Sequence, residues 1–444
     1  MKVIIAGGVA AGMSAASKLK RECPEADVVV YERGGETSYG ACGLPYYVSG
    51  VNEDEELLRI RKKEAFLKAG IGLKLYHEVF RIDPGRRMAM VRDLETGETW
   101  EERYDFFVAA TGASAIIPPV ENVDLENIFT LKTIADANRI RAALKDDVKH
   151  VVIVGGGYIG MELAEAFLER KLHVRVIERM DGLLGNFDPE FGREVLEYLS
   201  EEGVCVHLNE EVVRFEGSSG HGPVTGVVTD RGTYDADLVI LSVGVRPNTE
   251  FLRDTGIRRL PNGAIRTDQC MRSSLPRVYA GGDCASVRHL VLGKDVYLPL
   301  GTNANKQGRF IGENILGRNH GFYAVGTAMI KIGDLELGRT GVTEQEAAAH
   351  GLLHRSVTVT GKDHAPYYPG GEDIKIKLVY EPGTGVILGA QLIGRQGTAL
   401  RTDIFAVAVT KAMTVRELGE TDLGYAPPYA MPWDIVQVAC NAAK

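Results

Sequence analysis

The chain is 444 residues long, 45% hydrophobic and 25% charged, a balance that excludes a disordered chain, a collagen and a membrane bundle. Fifty-one basic against 60 acidic residues leave a net charge of −9, which argues against a protein that coats nucleic acid or an anionic membrane surface. At about 150 residues per domain, the length is that of three domains, or two with an elaboration. Glycine is the outlier: 52 residues, about 12% against a usual 7% or so. With no periodic repeat, the excess belongs at tight turns and close backbone approaches to ligands.

Residues 3–6 have the pattern of a short buried strand, Gly7-Gly8-Val9-Ala10-Ala11-Gly12 of a turn, 13–21 of a helix, and 28–31 of a second strand ending at Glu32. The plan recurs as strand 151–154, turn Gly155-Gly156-Gly157-Tyr158-Ile159-Gly160, helix 161–170 and strand 174–177 ending at Glu178. Twenty positions separate Gly12 from Glu32 and 18 separate Gly160 from Glu178, the spacing of a βαβ dinucleotide unit. In such a unit the first glycine makes the turn, the middle one admits the pyrophosphate, and the third packs helix on strand. The helix N-terminus then faces the phosphates and the carboxylate faces the ribose hydroxyls. The second unit matches at Gly155, Gly157 and Gly160, whereas the first carries Val9 in the middle.

Each unit is followed by an apolar strand that ends in a glycine turn, 104–111 before Gly112 and 237–243 before Gly244. A third such strand, 277–280 before Gly281-Gly282-Asp283, comes back after the second unit, which implies that the second domain is inserted into the first. From about residue 326 the pattern changes to strands at 328–332, 374–379 and 386–393 and an amphipathic helix near 400–413, a separate α+β domain. The expected division is 1–115 and 246–323 for the first domain, 116–245 for the inserted one and 324–444 for the last. The alanine-rich start superficially resembles a secretory signal, but its glycine turn and the charged segment 18–22 leave no cleavage pattern. No apolar run reaches the ~18 residues of a spanning helix. Six cysteines (Cys23, Cys42, Cys205, Cys270, Cys284, Cys440) show no C-x-x-C, so neither a metal site nor a disulfide framework is expected, and a reducing, cytoplasmic setting fits.

Two adjacent dinucleotide units imply that two cofactors meet, most simply for hydride transfer from a nicotinamide to a flavin. The Gly7 to Gly12 turn, Glu32, Ala110-Thr111-Gly112, the Gly155 to Gly160 turn, Gly244-Val245-Arg246-Pro247-Asn248 and Tyr279-Ala280-Gly281-Gly282-Asp283 together resemble the FAD-dependent pyridine nucleotide-disulfide oxidoreductases over essentially the whole chain. The resemblance implies an α/β fold with two Rossmann-like domains, the second inserted in the first, plus a C-terminal α+β dimerisation domain. It implies FAD on the first unit, with Arg33, Val79, Lys132, Asp283, Gly301 and Thr302 completing that site, and NADH on the second, with Tyr158, Ile159 and Gly244 contributing. Glu178 would repel the 2′-phosphate of NADPH, while Arg175 and Arg179 leave NADPH use open.

Cys42 stands in Ser38-Tyr39-Gly40-Ala41-Cys42-Gly43-Leu44-Pro45-Tyr46-Tyr47, where the resemblance puts a redox sulfur beside the flavin. Relatives with an internal pair have C-x-x-x-x-C here; this chain has Tyr47 at the second place. A lone sulfur must cycle through a mixed disulfide or a sulfenic acid. The single-cysteine group resembles NADH peroxidase, water-forming NADH oxidase and coenzyme A-disulfide or persulfide reductase. The first two use a histidine where this chain has Ala10. Tyr367 and Tyr425 lie in segments that resemble the coenzyme A-disulfide reductases, where such tyrosines reach the sulfur across a homodimer and assist the departing thiolate. Ser14, Lys18 and Arg21 share a helix face that is suited to coenzyme A phosphates; charge alone fits a solvated face as well, and the resemblance, in which ligand contacts lie on this helix, implies the binding role. Ser38 and Asn305 join the same pocket, while Lys306 and Arg309 fit surface charge as well. The expected activity is NAD(P)H-dependent reduction of coenzyme A disulfide, persulfide or polysulfide. The alternatives are oxygen or peroxide reduction through a Cys42 sulfenate, and electron transfer to a small redox protein. A fused rhodanese domain, present in some relatives, is not expected.

Overall fold

The computed structural model describes residues 1–217 and 222–443; residues 218–221, inside the expected inserted domain, and Lys444, the end of the expected C-terminal domain, lie outside the described residues. Its first sheet has five parallel strands in the order Val278–Ala280, Phe106–Ala109, Lys2–Ala6, Asp27–Glu32, Gly72–Leu75. Both faces are covered, as an all-parallel sheet requires. Val3 and Ile5 pack toward helices Ala10–Glu22 and Gly301–Ile315. The alternate residues Ile4 and Ala6 pack toward the antiparallel strands His77–Asp83 and Met88–Asp93.

The second parallel sheet runs Cys205–Leu208, His173–Glu178, His150–Val154, Leu238–Leu241, Ile128–Phe129. All five strands fall in sequence between Phe106–Ala109 and Val278–Ala280 of the first sheet, so one unit is inserted in the other. The two crossings pair with each other as antiparallel strands Ala113–Ala115 and Val245–Pro247. The C-terminal unit is a five-stranded antiparallel sheet, in the order Ala328–Ile332, Leu335–Gly341, Ile387–Gly394, Asp373–Tyr380, Arg355–Lys362. Helix Thr398–Thr410 lies on it.

That helix departs from the amphipathic expectation. Thr402, Phe405 and Val409 face the core, but the outer face shows the apolar Leu400 and Val407 on either side of the exposed Asp403. The helices after both glycine turns also start earlier than the sequence pattern implies, at Ala10 and Tyr158. The third glycine of each motif therefore sits inside its helix, where a Cβ at Gly12 or Gly160 would run into the carbonyl oxygen of Gly7 or Gly155.

One core joins all three units. Leu44, Tyr47 and Val48 from the segment after Cys42 pack with Val151, Met161 and Phe167 of the inserted unit and with Ile330, Leu337 and Ile393 of the last. A buried lysine adds a polar clamp: Lys377 Nζ contacts Asp188 at 2.9 Å, Glu190 at 2.5 Å and Glu344 at 2.7 Å. Among the described residues no helix is long and apolar enough to cross a membrane, and no group of three or more metal-binding side chains forms.

Candidate active site

The two glycine turns build matching cradles at the carboxyl ends of their sheets. Gly7 and Gly155 have φ of +108° and +111°, a left-handed conformation that favours glycine. A Cβ at either would also strike the carbonyl oxygen of Ala110 or Ser242. Gly157 differs, since a Cβ there meets no atom within 4 Å. Val9 and Gly157 each occupy the N-cap position of their helix, which explains structurally how a valine is accommodated in the first motif. Glu32 Oε2 accepts from Gly8 N–H at 2.6 Å and Oε1 from Gly34 N–H at 2.7 Å. Glu178 repeats this with Gly156 at 2.6 Å and Met180 at 2.8 Å. Both carboxylates are thereby fixed at the rim where a ribose would lie. Arg175 stacks its guanidinium 4.0 Å over the Tyr234 ring and meets His207 Nε2 at 3.0 Å, so Arg179 is the exposed cation beside Glu178.

The remaining cofactor candidates fall around these cradles. Ala110 N–H donates to Ala6 O at 2.8 Å; Thr111 Oγ1 donates to Asn248 O at 2.6 Å, and Asn248 N–H to Gly112 O at 3.0 Å. Arg33 donates to Ser114 Oγ at 3.2 Å. Val79 is a core residue, packed among the side chains beneath the first sheet. Gly244 O accepts from Ile116 N–H at 3.0 Å, between the two crossings. Asp283 Oδ2 pairs with Lys132 Nζ at 2.9 Å, and Gly282 N–H donates to Gln307 Oε1 at 2.8 Å. The Gln307 bond ties the loop to helix Gly301–Ile315, whose first residues Gly301 and Thr302 are exposed and lack a side-chain cap. Ile159 is half-buried in the first turn of helix Tyr158–Glu169. The Tyr158 hydroxyl accepts from Asn186 Nδ2 at 2.7 Å, and burial pushes its pKa up to about 12.

Cys42 sits in the single turn Ala41–Gly43, just before helix Leu44–Ser49, and is solvent-exposed. The surrounding protein mass still disfavours its thiolate, the Glu162 carboxylate adds to that, and Lys132 works against both. Burial, with Glu165 nearby, raises Glu162 itself to about 7. Glu162→Gln is therefore expected to speed alkylation of Cys42 by iodoacetamide a few-fold at pH 8, because removing that carboxylate lowers the pKa of the thiol. The difference should fade below about pH 6, where Glu162 is already protonated in the parent; equal rates at pH 8 would refute this coupling. Tyr47, in the position of a second cysteine, is buried: its hydroxyl donates to Asn138 Oδ1 at 2.9 Å, and Arg141 lies 4.2 Å over its ring.

Ser14, Lys18, Arg21, Ser38 and Asn305 converge on one cavity of about 610 Å³, with Ser14 Oγ donating to Asn305 Oδ1 at 3.0 Å. Cys42 lies just beyond Ser38 in the chain but does not form the cavity wall. Lys18 needs correction as a member of an open basic stripe. It is only 8% exposed, and its ammonium bridges Glu22 at 2.5 Å and Glu313 at 2.8 Å. Burial pushes the Glu313 carboxyl up, but hydrogen bonds from Lys18 and His320 outweigh it and hold the pKa at about 2. Lys18 is thus neutralised in the cavity floor. Lys306 and Arg309, which the sequence left as equally suited to surface charge, and Arg61, which it did not single out, also line the cavity. Arg21, Arg61 and Lys306 make no ion pair among the described residues. The available signals were the basic run around Arg61 and the one-turn spacing of Asn305 and Arg309.

The Tyr367 and Tyr425 hydroxyls are hydrogen-bonded to each other, and both rings are exposed on the C-terminal unit. That bond to Tyr367 raises the Tyr425 pKa. Among the described residues no hydrogen bond joins either phenol to Cys42 within the chain.

Residues 1–308 match the family described as pyridine nucleotide-disulphide oxidoreductase, and residues 327–435 match its dimerisation domain. An NAD(P)H sulfur oxidoreductase (CoA-dependent) of Pyrococcus abyssi is 40% identical, covering 100% of this chain and 98% of the relative. An NADH oxidase of Enterococcus faecalis is 35% identical over 100% and 99%, and a coenzyme A disulfide reductase of Staphylococcus aureus 30% over 100% of both. The solved NAD-dependent persulfide reductase from A. fulgidus superposes with a TM-score of 0.95 at 36% identity, covering all of this chain and 83% of that one. The glycine cradles, the inserted second sheet and the antiparallel C-terminal unit are thus parts of one shared architecture, and the chain belongs to the pyridine nucleotide-disulphide oxidoreductase family.

Proposed function

We propose that this protein is a homodimeric NAD(P)H-dependent flavoenzyme that reduces coenzyme A disulfide, or the corresponding persulfide or polysulfide, through Cys42. The observation that carries the reading is an exposed cysteine with no partner cysteine, four residues along the chain from Ser38, which lines a cavity together with Arg21, Arg61 and Lys306. The first cradle fits a dinucleotide, since the Gly7 turn, Glu32 and the uncapped helix at Gly301 converge there. The second offers the same with open space at Gly157. FAD, when bound, supplies the electron pair that it takes from NAD(P)H and that finally cleaves the Cys42 mixed disulfide.

The chain's own residues do the rest. Cys42 as thiolate attacks one sulfur of the substrate; its new S–S bond forms as the substrate's breaks, and the first thiolate leaves. A phenol of the Tyr367–Tyr425 pair, presented by the partner subunit, donates a hydrogen bond to that thiolate. The balance is one NAD(P)H and one proton consumed per disulfide, giving NAD(P)⁺ and two thiols. The arginines lining the cavity suit the adenosine phosphates by charge-assisted, bidentate bonds. Glu178 favours NADH, and the exposed Arg179 leaves NADPH usable. Leu400, Val407, Tyr429 and Trp433, all exposed on the C-terminal unit, supply apolar surface for the partner.

Anaerobic NADH oxidation tests the reading. Coenzyme A disulfide should turn over with a KM at least about tenfold below that of the phosphate-free pantetheine disulfide, and Arg21→Glu should erase much of that advantage by reversing one phosphate contact. No turnover with coenzyme A disulfide, persulfide or polysulfide would overturn it. Oxygen reduction through a Cys42 sulfenate is the second reading, favoured by similarity to an NADH oxidase. Ala10 opposes it, because a methyl group there offers no proton to a peroxide oxygen. Rapid NADH-driven oxygen uptake without any thiol substrate would favour this alternative.

A further inference from the structure

We propose that Arg401 is the positioning residue of the tyrosine pair, a buried guanidinium that pins the Tyr367 and Tyr425 loops to one point so that the two phenols meet. This deepens the reading above and rests on it for the role of the phenols. Arg401 projects from helix Thr398–Thr410 and is 8% exposed. Its Nη2 donates to Asp363 O at 2.7 Å, four residues before Tyr367, and to Tyr429 O at 3.0 Å, four residues after Tyr425. The same nitrogen reaches Asp434 Oδ2 at 2.8 Å, Nε reaches Asp434 Oδ2 at 3.0 Å, and Nη1 donates to Gly397 O at 3.0 Å. Asp434 is in turn the N-cap of helix Ile435–Ala442, accepting from Val436 N–H at 2.9 Å.

Two carbonyls from separate loops thus share one nitrogen, and a carboxylate on a third element fixes the plane of the fork. Elsewhere the loops are joined lightly, by Ala365 N–H to Pro427 O at 3.3 Å and by the phenol pair itself. A lysine at 401 would keep the charge opposite Asp434 but, as a point charge without a planar fork, could not hold both carbonyls in register.

The test uses the FAD-loaded full chain with tyrosines carbon-13-labelled at Cζ, and Arg401→Lys as the variant. In the parent, Tyr425 should titrate above the ordinary phenol range because Tyr367 holds it; in Arg401→Lys it should fall back to that range. Turnover of coenzyme A disulfide should drop at least tenfold, while flavin reduction by NADH stays within twofold. Combined with Tyr367→Phe, Arg401→Lys should add no further loss, because both act through one contact. Asp434→Asn, which keeps the side-chain shape, serves if the lysine variant does not fold, with the same expected direction. An unchanged Tyr425 titration, or losses that multiply with Tyr367→Phe, would overturn the proposal. If Tyr367→Phe alone left turnover intact, the catalytic reading of the phenols would fail, whereas the titration would still decide whether Arg401 positions them.

Discussion

Cys42→Ser is expected to lower turnover of coenzyme A disulfide on the order of 10³-fold or more, while the rate of flavin reduction by NADH stays within about twofold. Among the described residues no other cysteine is placed to take over. Cys270, Cys284 and Cys440 are buried at 6%, 0% and 3% exposure. Cys23 hydrogen-bonds Glu25 at 3.0 Å, and that contact raises its pKa; Cys205 lies on the edge strand of the inserted sheet. A serine hydroxyl has the size of the thiol but neither its acidity nor its affinity for sulfur, so attack on S–S is lost. Stopped-flow absorbance separates the half-reactions: the flavin should bleach with NADH and then fail to reoxidise on anaerobic addition of coenzyme A disulfide. Full reoxidation in the variant would show that electrons leave the flavin without passing through this sulfur, as in a reductase that serves a protein partner.

What could be read in the sequence was whatever the backbone itself demands. The positive-φ glycines and the carboxylates 20 and 18 residues beyond the third glycines are local requirements of a strand–turn–helix–strand unit, so their order in the chain already carries them. The return of strand Val278–Ala280 to the first sheet was legible for the same reason, because its glycine-ended pattern repeats that of Phe106–Ala109. Side-chain destinations were less so. Helical spacing put Lys18 on a face with Ser14 and Arg21, but helix Gly301–Ile315 brings Glu313 against that face and closes it over the ammonium. No periodicity within residues 10–22 can report a carboxylate nearly 300 positions away. Arg401 is illegible in a stronger sense: its partners at 363, 397, 429 and 434 meet only once sheet and helices have packed. Val9 shows the converse, a departure from the motif at an N-cap position whose counterpart, Gly157, has room for a Cβ, so the packing of the fold does not itself require glycine there.

The contrast between Gly155 and Gly157 makes the second large effect, because one methyl group should produce two different failures. At Gly155, φ is +111° and the added Cβ would lie 2.6 Å from the Ser242 carbonyl oxygen. Backbone strain and overpacking against a fixed strand together cost roughly 2–5 kcal/mol. Gly155→Ala should therefore lower the thermal midpoint of the inserted unit and weaken NAD(P)H binding along with it. At Gly157 the same Cβ meets no atom within 4 Å, so Gly157→Ala should leave stability within about 0.5 kcal/mol. Its methyl group instead occupies the approach of the pyrophosphate to the helix N-terminus, and KM for NADH should rise about tenfold or more with the thermal midpoint unmoved. Calorimetry of the ligand-free protein and steady-state kinetics on the same samples divide the two outcomes. A Gly157→Ala variant that loses stability as Gly155→Ala does would mean that the middle glycine is held by packing. The assignment of that open space to a dinucleotide would then lose its steric basis, because the room at Gly157 would belong to the fold and not to a ligand.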